Sequence, residues 1–128
     1  MGENGKLIDL ALKTMENAYA PYSGFKVGAA LLSSRGKLYT GCNIENISYG
    51  ASVCAERTAI FKAVSEGETS FLKLAVVSSS EEITFPCGIC RQVLNEFMPE
   101  GEIILFGGGN MEIYKVSELL PHSFNNKF

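Results

Sequence analysis

The 128-residue chain is 46% hydrophobic and 20% charged, the size of one domain and apolar enough to form a core without covalent staples. Eleven basic residues against fourteen acidic ones leave a formal charge of −3 with no basic run or basic helical face, which argues against nucleic acid as a partner because polyanion binding needs clustered Lys and Arg. No apolar run is long enough to span a bilayer, and the opening MGENGKLIDL carries neither a secretory nor a myristoylation pattern, so no membrane association and a single cytoplasmic domain over 1–128 are expected.

From about Lys6 to Tyr19, Leu7, Leu10, Ala11, Met15 and Ala18 form one stripe at helical spacing, and Pro21 is expected to end the helix. PYSGF is a turn. FKVGAALLSSRGKLYTGCN reads as a hairpin around Ser33 to Gly36, and its small residues Gly28, Ala29 and Ala30 imply close packing against the first strand. A loop over about Ile44 to Ala51 leads to a helix over about Val53 to Glu66 that stops at Gly67, with Ala59, Ile60, Ala63 and Val64 inward.

FLKLAVVSS is a buried strand, CGICRQVLNEFM a helix introduced by Pro86, and EIILF and MEIYKV two strands joined by GGGN. VSELLP is a short helix and HSFNNKF a tail. The order α-β-β-α-β-α-β-β-α predicts an α/β fold: a five-stranded mixed sheet covered by helices, with parallel strands in its β-α-β-α-β middle and a hairpin at each end. Two cysteine-bearing helix starts then fall where open α/β sheets place ligand sites.

Four cysteines in a chain of this kind point to metal or redox chemistry rather than disulfides. PCGIC alone fits half of a structural zinc site, a redox pair or a coincidence. Cys87 and Cys90 lie three apart, so both sulfurs can reach one metal, and Cys54 offers a third thiolate from the start of another helix. Zinc held by three protein ligands keeps its fourth position for water, which is the catalytic arrangement. Glu56, two residues after Cys54, can point past the same helix end and handle protons on that water; read alone, it is equally a helix-start carboxylate favoured by the dipole. Three thiolates and Zn²⁺ sum to −1, a charge that two helix N-termini and Arg57, donating to a ligand sulfur, can offset. Arg91, beside Cys90, is a second candidate for that duty. Cys42 reads as a small buried residue and His122, the single histidine, as solvated.

C-x-E, some thirty residues, then P-C-x-x-C is the zinc nucleobase-deaminase signature, with Cys in place of the first-position His. The chain resembles the small, homotetrameric cytidine deaminases that act on free nucleosides, through YAPYSGFKVGAALL, GCNIENISYGASVCAERTAIFKAVSEG, PCGICRQVLNEF and ELLPHSF. The resemblance implies the three-layer cytidine-deaminase-like fold, one Zn²⁺ per subunit on Cys54, Cys87 and Cys90, and Glu56 as proton shuttle. It also implies that Asn43 and Glu45 bind the sugar hydroxyls, Phe25 stacks on the pyrimidine, the Ala55 backbone reads the base edge, and Phe124 reaches a neighbouring subunit's site. By residue type alone, Phe25 reads as well as core and Asn43 as a loop cap.

The expected function is hydrolysis of cytidine and deoxycytidine to uridine and deoxyuridine with release of ammonia, in pyrimidine salvage. Three other readings compete with it: a deaminase of another aminopyrimidine such as a blasticidin-type antibiotic, a non-enzymatic zinc module closed by Cys42, Cys54, Cys87 and Cys90, and an editor of RNA or DNA.

Overall fold

A computed structural model describes residues 2–125. Of the tail expected over 122–128, residues 126–128 lie outside the described residues. Ten elements follow one another. They are helix α1 (Glu3–Met15), strands β1 (Val27–Ser33) and β2 (Leu38–Cys42), a 3-10 turn (Tyr49–Ala51), helix α2 (Ala55–Ser65), strand β3 (Phe71–Ser78), helix α3 (Gly88–Phe97), strands β4 (Glu102–Gly107) and β5 (Asn110–Lys115), and the short α4 (Val116–Leu119).

The five strands form one sheet in the order β2-β1-β3-β4-β5. β1 pairs antiparallel with both β2 and β3, β3 with β4 parallel, and β4 with β5 antiparallel. The expectation of a parallel middle is met only in part. β2, β3 and β4 run the same way, but β1 lies between β2 and β3, so a single ladder is parallel. The tight β1–β2 hairpin keeps these strands adjacent and sends the α2 crossover over β1.

Alternate residues along the central strands feed two cores. Ala30, Leu32, Ala75, Val77 and Ile104 face α1, meeting Leu7, Ile8 and Ala11. Ala29, Leu31, Leu74, Val76, Ile103 and Leu105 face the other way, meeting Ala59, Ile60 and Ala63 of α2 and Leu94 of α3. All seven residues of β1 are buried because both its faces are covered. The molecule is thus the expected three-layer arrangement.

α1 begins three residues earlier than its periodicity suggests and ends at Met15, well before Pro21. What ends it is pairing elsewhere: the Tyr19 N–H donates to the Asn43 carbonyl (3.0 Å) and the Tyr19 carbonyl accepts from Glu45 N–H (2.8 Å). The Asn43–Glu45 segment thereby gains a bridge on one side from Tyr19 and on the other from Val53.

Two glycines set how closely the layers approach. A Cβ on Gly28 would lie 2.1 Å from the Ala11 carbonyl oxygen, so α1 rests on the strand backbone there, as the small residues of β1 imply. A Cβ on Gly41 would lie 2.5 Å from Ala59 N and 2.6 Å from the Ala55 carbonyl oxygen, so β2 receives the first turns of α2 in the same way. Overpacking at such a contact costs about 1–3 kcal/mol. Gly41→Ala is expected to lose about that much stability in urea unfolding, whereas Gly50→Ala, with nothing within 4 Å of the new methyl, should stay within about 0.5 kcal/mol.

Candidate active site

Cys54 is the N-cap of α2 and Cys87 the N-cap of α3, and Cys90 lies in the first turn of α3. The two helices pack on the same face of the sheet, so their N-terminal ends converge. The three Sγ atoms lie within 4.8 Å of one another, and Cys54 and Cys87 are 3.6 Å apart. Two sulfurs on a tetrahedral zinc with Zn–S near 2.3 Å sit about 3.8 Å apart, so this spacing suits a shared metal. Cys87 Sγ also accepts from the Cys90 backbone N–H at 3.4 Å.

The donor set carries its own charge compensation. The Arg57 guanidinium donates from Nη2 to Cys54 Sγ at 3.5 Å, and its Nε is buried without a hydrogen-bond partner. Cys54 is drawn down to about 5, first by a hydrogen bond from Cys90, then by Arg57 and Cys87, against the cost of burial. Cys90 is pushed up because it gives that hydrogen bond and is itself buried. Even without a metal the group thus favours an anionic sulfur at Cys54. Arg91 does not share the duty expected of it: it donates from Nε to the Pro86 carbonyl and from Nη1 to the Leu119 carbonyl, both at 2.8 Å.

Glu56 is only 4% exposed, and burial pushes its carboxyl up to about 7, with the Cys54 sulfur adding to the rise and its own backbone N–H and Arg57 opposing it. A carboxyl so placed exchanges a proton near neutrality, which an ordinary helix-start glutamate does not. It lines a cavity of about 420 Å³ together with Cys54, Cys87, Ala55, Arg57, Asn43, Glu45 and Phe25. Every candidate site residue therefore lies on this cavity except Cys90, buried within the sulfur cluster, Arg91 and Phe124.

Asn43 and Glu45, which also line the cavity, hold the PYSGF turn. Asn43 accepts from Val27 N–H through Oδ1 and donates through Nδ2 to the Phe25 carbonyl, both at 2.8 Å. Glu45 Oε1 accepts from the backbone N–H groups of Tyr22 (3.0 Å) and Ser23 (3.1 Å), and Oε2 accepts from the Ser23 hydroxyl. These bonds, the Ser23 hydroxyl foremost, hold the Glu45 carboxyl below the usual carboxylate range. Of a carboxylate's roughly four lone-pair sites, one remains for a ligand. Asn43 keeps one N–H and one lone pair.

A model of the cytidine and deoxycytidylate deaminase zinc-binding region matches residues 1–106. The chain belongs to that family. It is 49% identical over 124 residues to a cytidine deaminase of Sporosarcina psychrophila, covering 95% of this chain and 91% of the relative. The structure of a cytidine deaminase from Burkholderia pseudomallei superposes with a TM-score of 0.91 at 44% identity, covering 97% of this chain and all of the other. A blasticidin-S deaminase of Bacillus cereus is more distant, at 27% identity over 124 residues, 91% of this chain and 88% of the relative. The deaminase family binds zinc, and the Cys54, Cys87 and Cys90 group is positioned to hold the ion.

Phe25 is part of the cavity wall rather than of either core. Phe124 is 80% exposed and does not line the cavity of its own chain. Tyr49, Phe85 and Ile89, which sequence reasoning passed over, line the cavity mouth with their rings and chains largely in the open. Nothing in their spacing distinguishes them from ordinary loop hydrophobics.

Cys42 lies on β2 opposite Gly28 and is not among the clustered thiols, which removes the fourth ligand a closed Cys₄ site would need. Metal analysis of purified variants should find zinc retained near one ion per chain in Cys42→Ser and lost in Cys87→Ser.

Proposed function

We propose that the protein hydrolyses cytidine and deoxycytidine to uridine and deoxyuridine with release of ammonia, serving pyrimidine salvage. The observation that carries this reading is a buried carboxyl, Glu56, beside the three-cysteine group in a cavity that Asn43 and Glu45 also line. Membership of the deaminase family and the similarity to cytidine deaminases over nearly the whole chain support it.

Cys54, Cys87 and Cys90 hold the zinc. When bound there, the ion supplies Lewis acidity that makes water a nucleophile near neutral pH. Glu56 removes a proton from the attacking water and delivers it to N3 of the ring as the oxygen adds to C4. It then carries the water's second proton to the amino group, the C4–N bond breaks, and ammonia leaves while N3 keeps its proton. Burial favours this work, since a desolvated carboxyl can hold and release a proton without competition from bulk water.

Arg57 donates to Cys54 Sγ and so offsets the negative charge of the sulfur cluster that would hold the ion. Ala55, fully buried as the first residue of α2, has a backbone N–H with no intrahelical partner, suited to the base edge. Its small side chain leaves room for the ring. Phe25 stacks on the pyrimidine, and Asn43 and Glu45 bind the sugar through the hydrogen-bonding capacity they retain. That pair favours a nucleoside over an aminopyrimidine antibiotic, and the formal charge of −3 disfavours a nucleic-acid substrate.

A homotetramer with sites at subunit interfaces completes the reading. Its support is the apolar surface at the cavity mouth, where Tyr49 is 79% and Ile89 63% exposed, together with Ile47 at 80%. In such an assembly Phe124 enters a neighbour's site. No helix among the described residues is long and apolar enough to cross a membrane. A cytoplasmic location agrees with four cysteines that stay unpaired.

Incubation with cytidine, followed for uridine and ammonia, tests the assignment directly. Glu56→Gln should keep its zinc and lose turnover by a factor on the order of 10²–10⁴ or more. Near-wild-type turnover in a zinc-loaded Glu56→Gln protein would remove Glu56 from the mechanism.

A further inference from the structure

Glu45 can bind a sugar hydroxyl only if its carboxylate is held in one orientation, and the hydrogen bonds around it show what does so. Two of its acceptor sites are taken by the backbone of Tyr22 and Ser23, which any residue at those positions would supply. The third is taken by the Ser23 hydroxyl, on Oε2. That same hydroxyl accepts from the Phe25 backbone N–H at 3.0 Å. A serine hydroxyl has one proton; with Phe25 donating to its oxygen, that proton is turned toward Glu45. Ser23 is therefore a connector with a defined sense, linking the chain at Phe25 to one carboxylate oxygen.

We propose that Ser23 is a positioning residue for sugar recognition: its hydroxyl fixes the rotamer of Glu45 so that the one remaining acceptor site meets a substrate hydroxyl. This rests on the reading of Glu45 as a sugar-binding group. Ser23 is absent from the lining of the cavity that holds Glu56 and borders, with Glu45, an adjoining recess of about 350 Å³; the role assigned to it is exerted through Glu45. The bond is to a charged acceptor and also keeps that carboxylate ionised, so the hydroxyl proton of the sugar always finds an acceptor.

The test compares cytidine with 2′,3′-dideoxycytidine, which lacks the hydroxyls that Glu45 would read, in the wild-type, Ser23→Ala and Ser23→Thr proteins. Ser23 is exposed, so Ser23→Ala leaves no core cavity, and thermal unfolding of both variants verifies that they are folded. Loss of the hydroxyl that orients a charged acceptor is expected to weaken binding of a hydroxyl-bearing substrate by roughly tenfold or more. Ser23→Ala should raise KM for cytidine by about tenfold or more, leave kcat nearly unchanged, and leave the dideoxy substrate almost unaffected. Ser23→Thr, which keeps the hydroxyl, should restore cytidine binding.

Two other results overturn the proposal by itself: an equal loss on both substrates, which would make Ser23 a support of the loop alone, and an unchanged KM for cytidine. If the wild-type protein does not distinguish the two substrates, the sugar-binding reading of Glu45 falls and the proposal with it.

Discussion

The seating of the first turns of α2 on Gly41 is the contact on which the site depends. Because β2 carries no side chain there, helix backbone lies against strand backbone, and the N-terminal end of α2 takes its position from the sheet. Cys54 caps that end and Glu56 lies in its first turn, so a metal ligand and the proposed proton carrier are both carried by a helix end seated directly on the sheet. Reacting groups must be held to fractions of an ångström, and a sheet does this better than a loop. The other wall comes from α3, which packs on the same face through Leu94 and brings Cys87 and Cys90 to the same end.

Charge is the second constraint. A buried carboxyl and three thiols crowd one end of the cavity, and burying negative charge without compensation is costly. Arg57 is the counterweight, next in sequence to Glu56 and hydrogen-bonded to Cys54. Two helix N-termini add positive potential at no further cost in side chains. Glu56 meets the cost differently: burial raises its pKa to about 7, so near neutral pH the carboxyl can both take up a proton and give one back.

The elements and the sulfur ligands were legible in the sequence because they rest on local signals: helical periodicity, Pro86 ahead of α3, and C-x-x-C spacing. The early end of α1 was not, because the pairing of Tyr19 with Asn43 and Glu45 joins segments with no common local pattern. The insertion of β1 between β2 and β3 is a matter of strand order, on which periodicity is silent. Arg57 follows Cys54 by three residues and Arg91 follows Cys90 directly. Only α2 directs its arginine to sulfur, while Arg91 reaches backbone carbonyls on either side of α3. Asn43 and Glu45 could be named as polar groups, but not how much of their capacity the PYSGF turn already uses.

The Arg91 guanidinium links the Pro86 carbonyl, just before Cys87, to that of Leu119 at the end of α4, 28 residues beyond Arg91 itself. A chain emerging from the ribosome has all three sulfurs available long before it has Leu119. The loop that carries Cys87 therefore gains this restraint only after β4, β5 and α4 have been made. The order of translation thus places this restraint on the metal site after β4 and β5 have been made, which gives α4 a part in the site's construction although none of Val116–Leu119 lines the cavity.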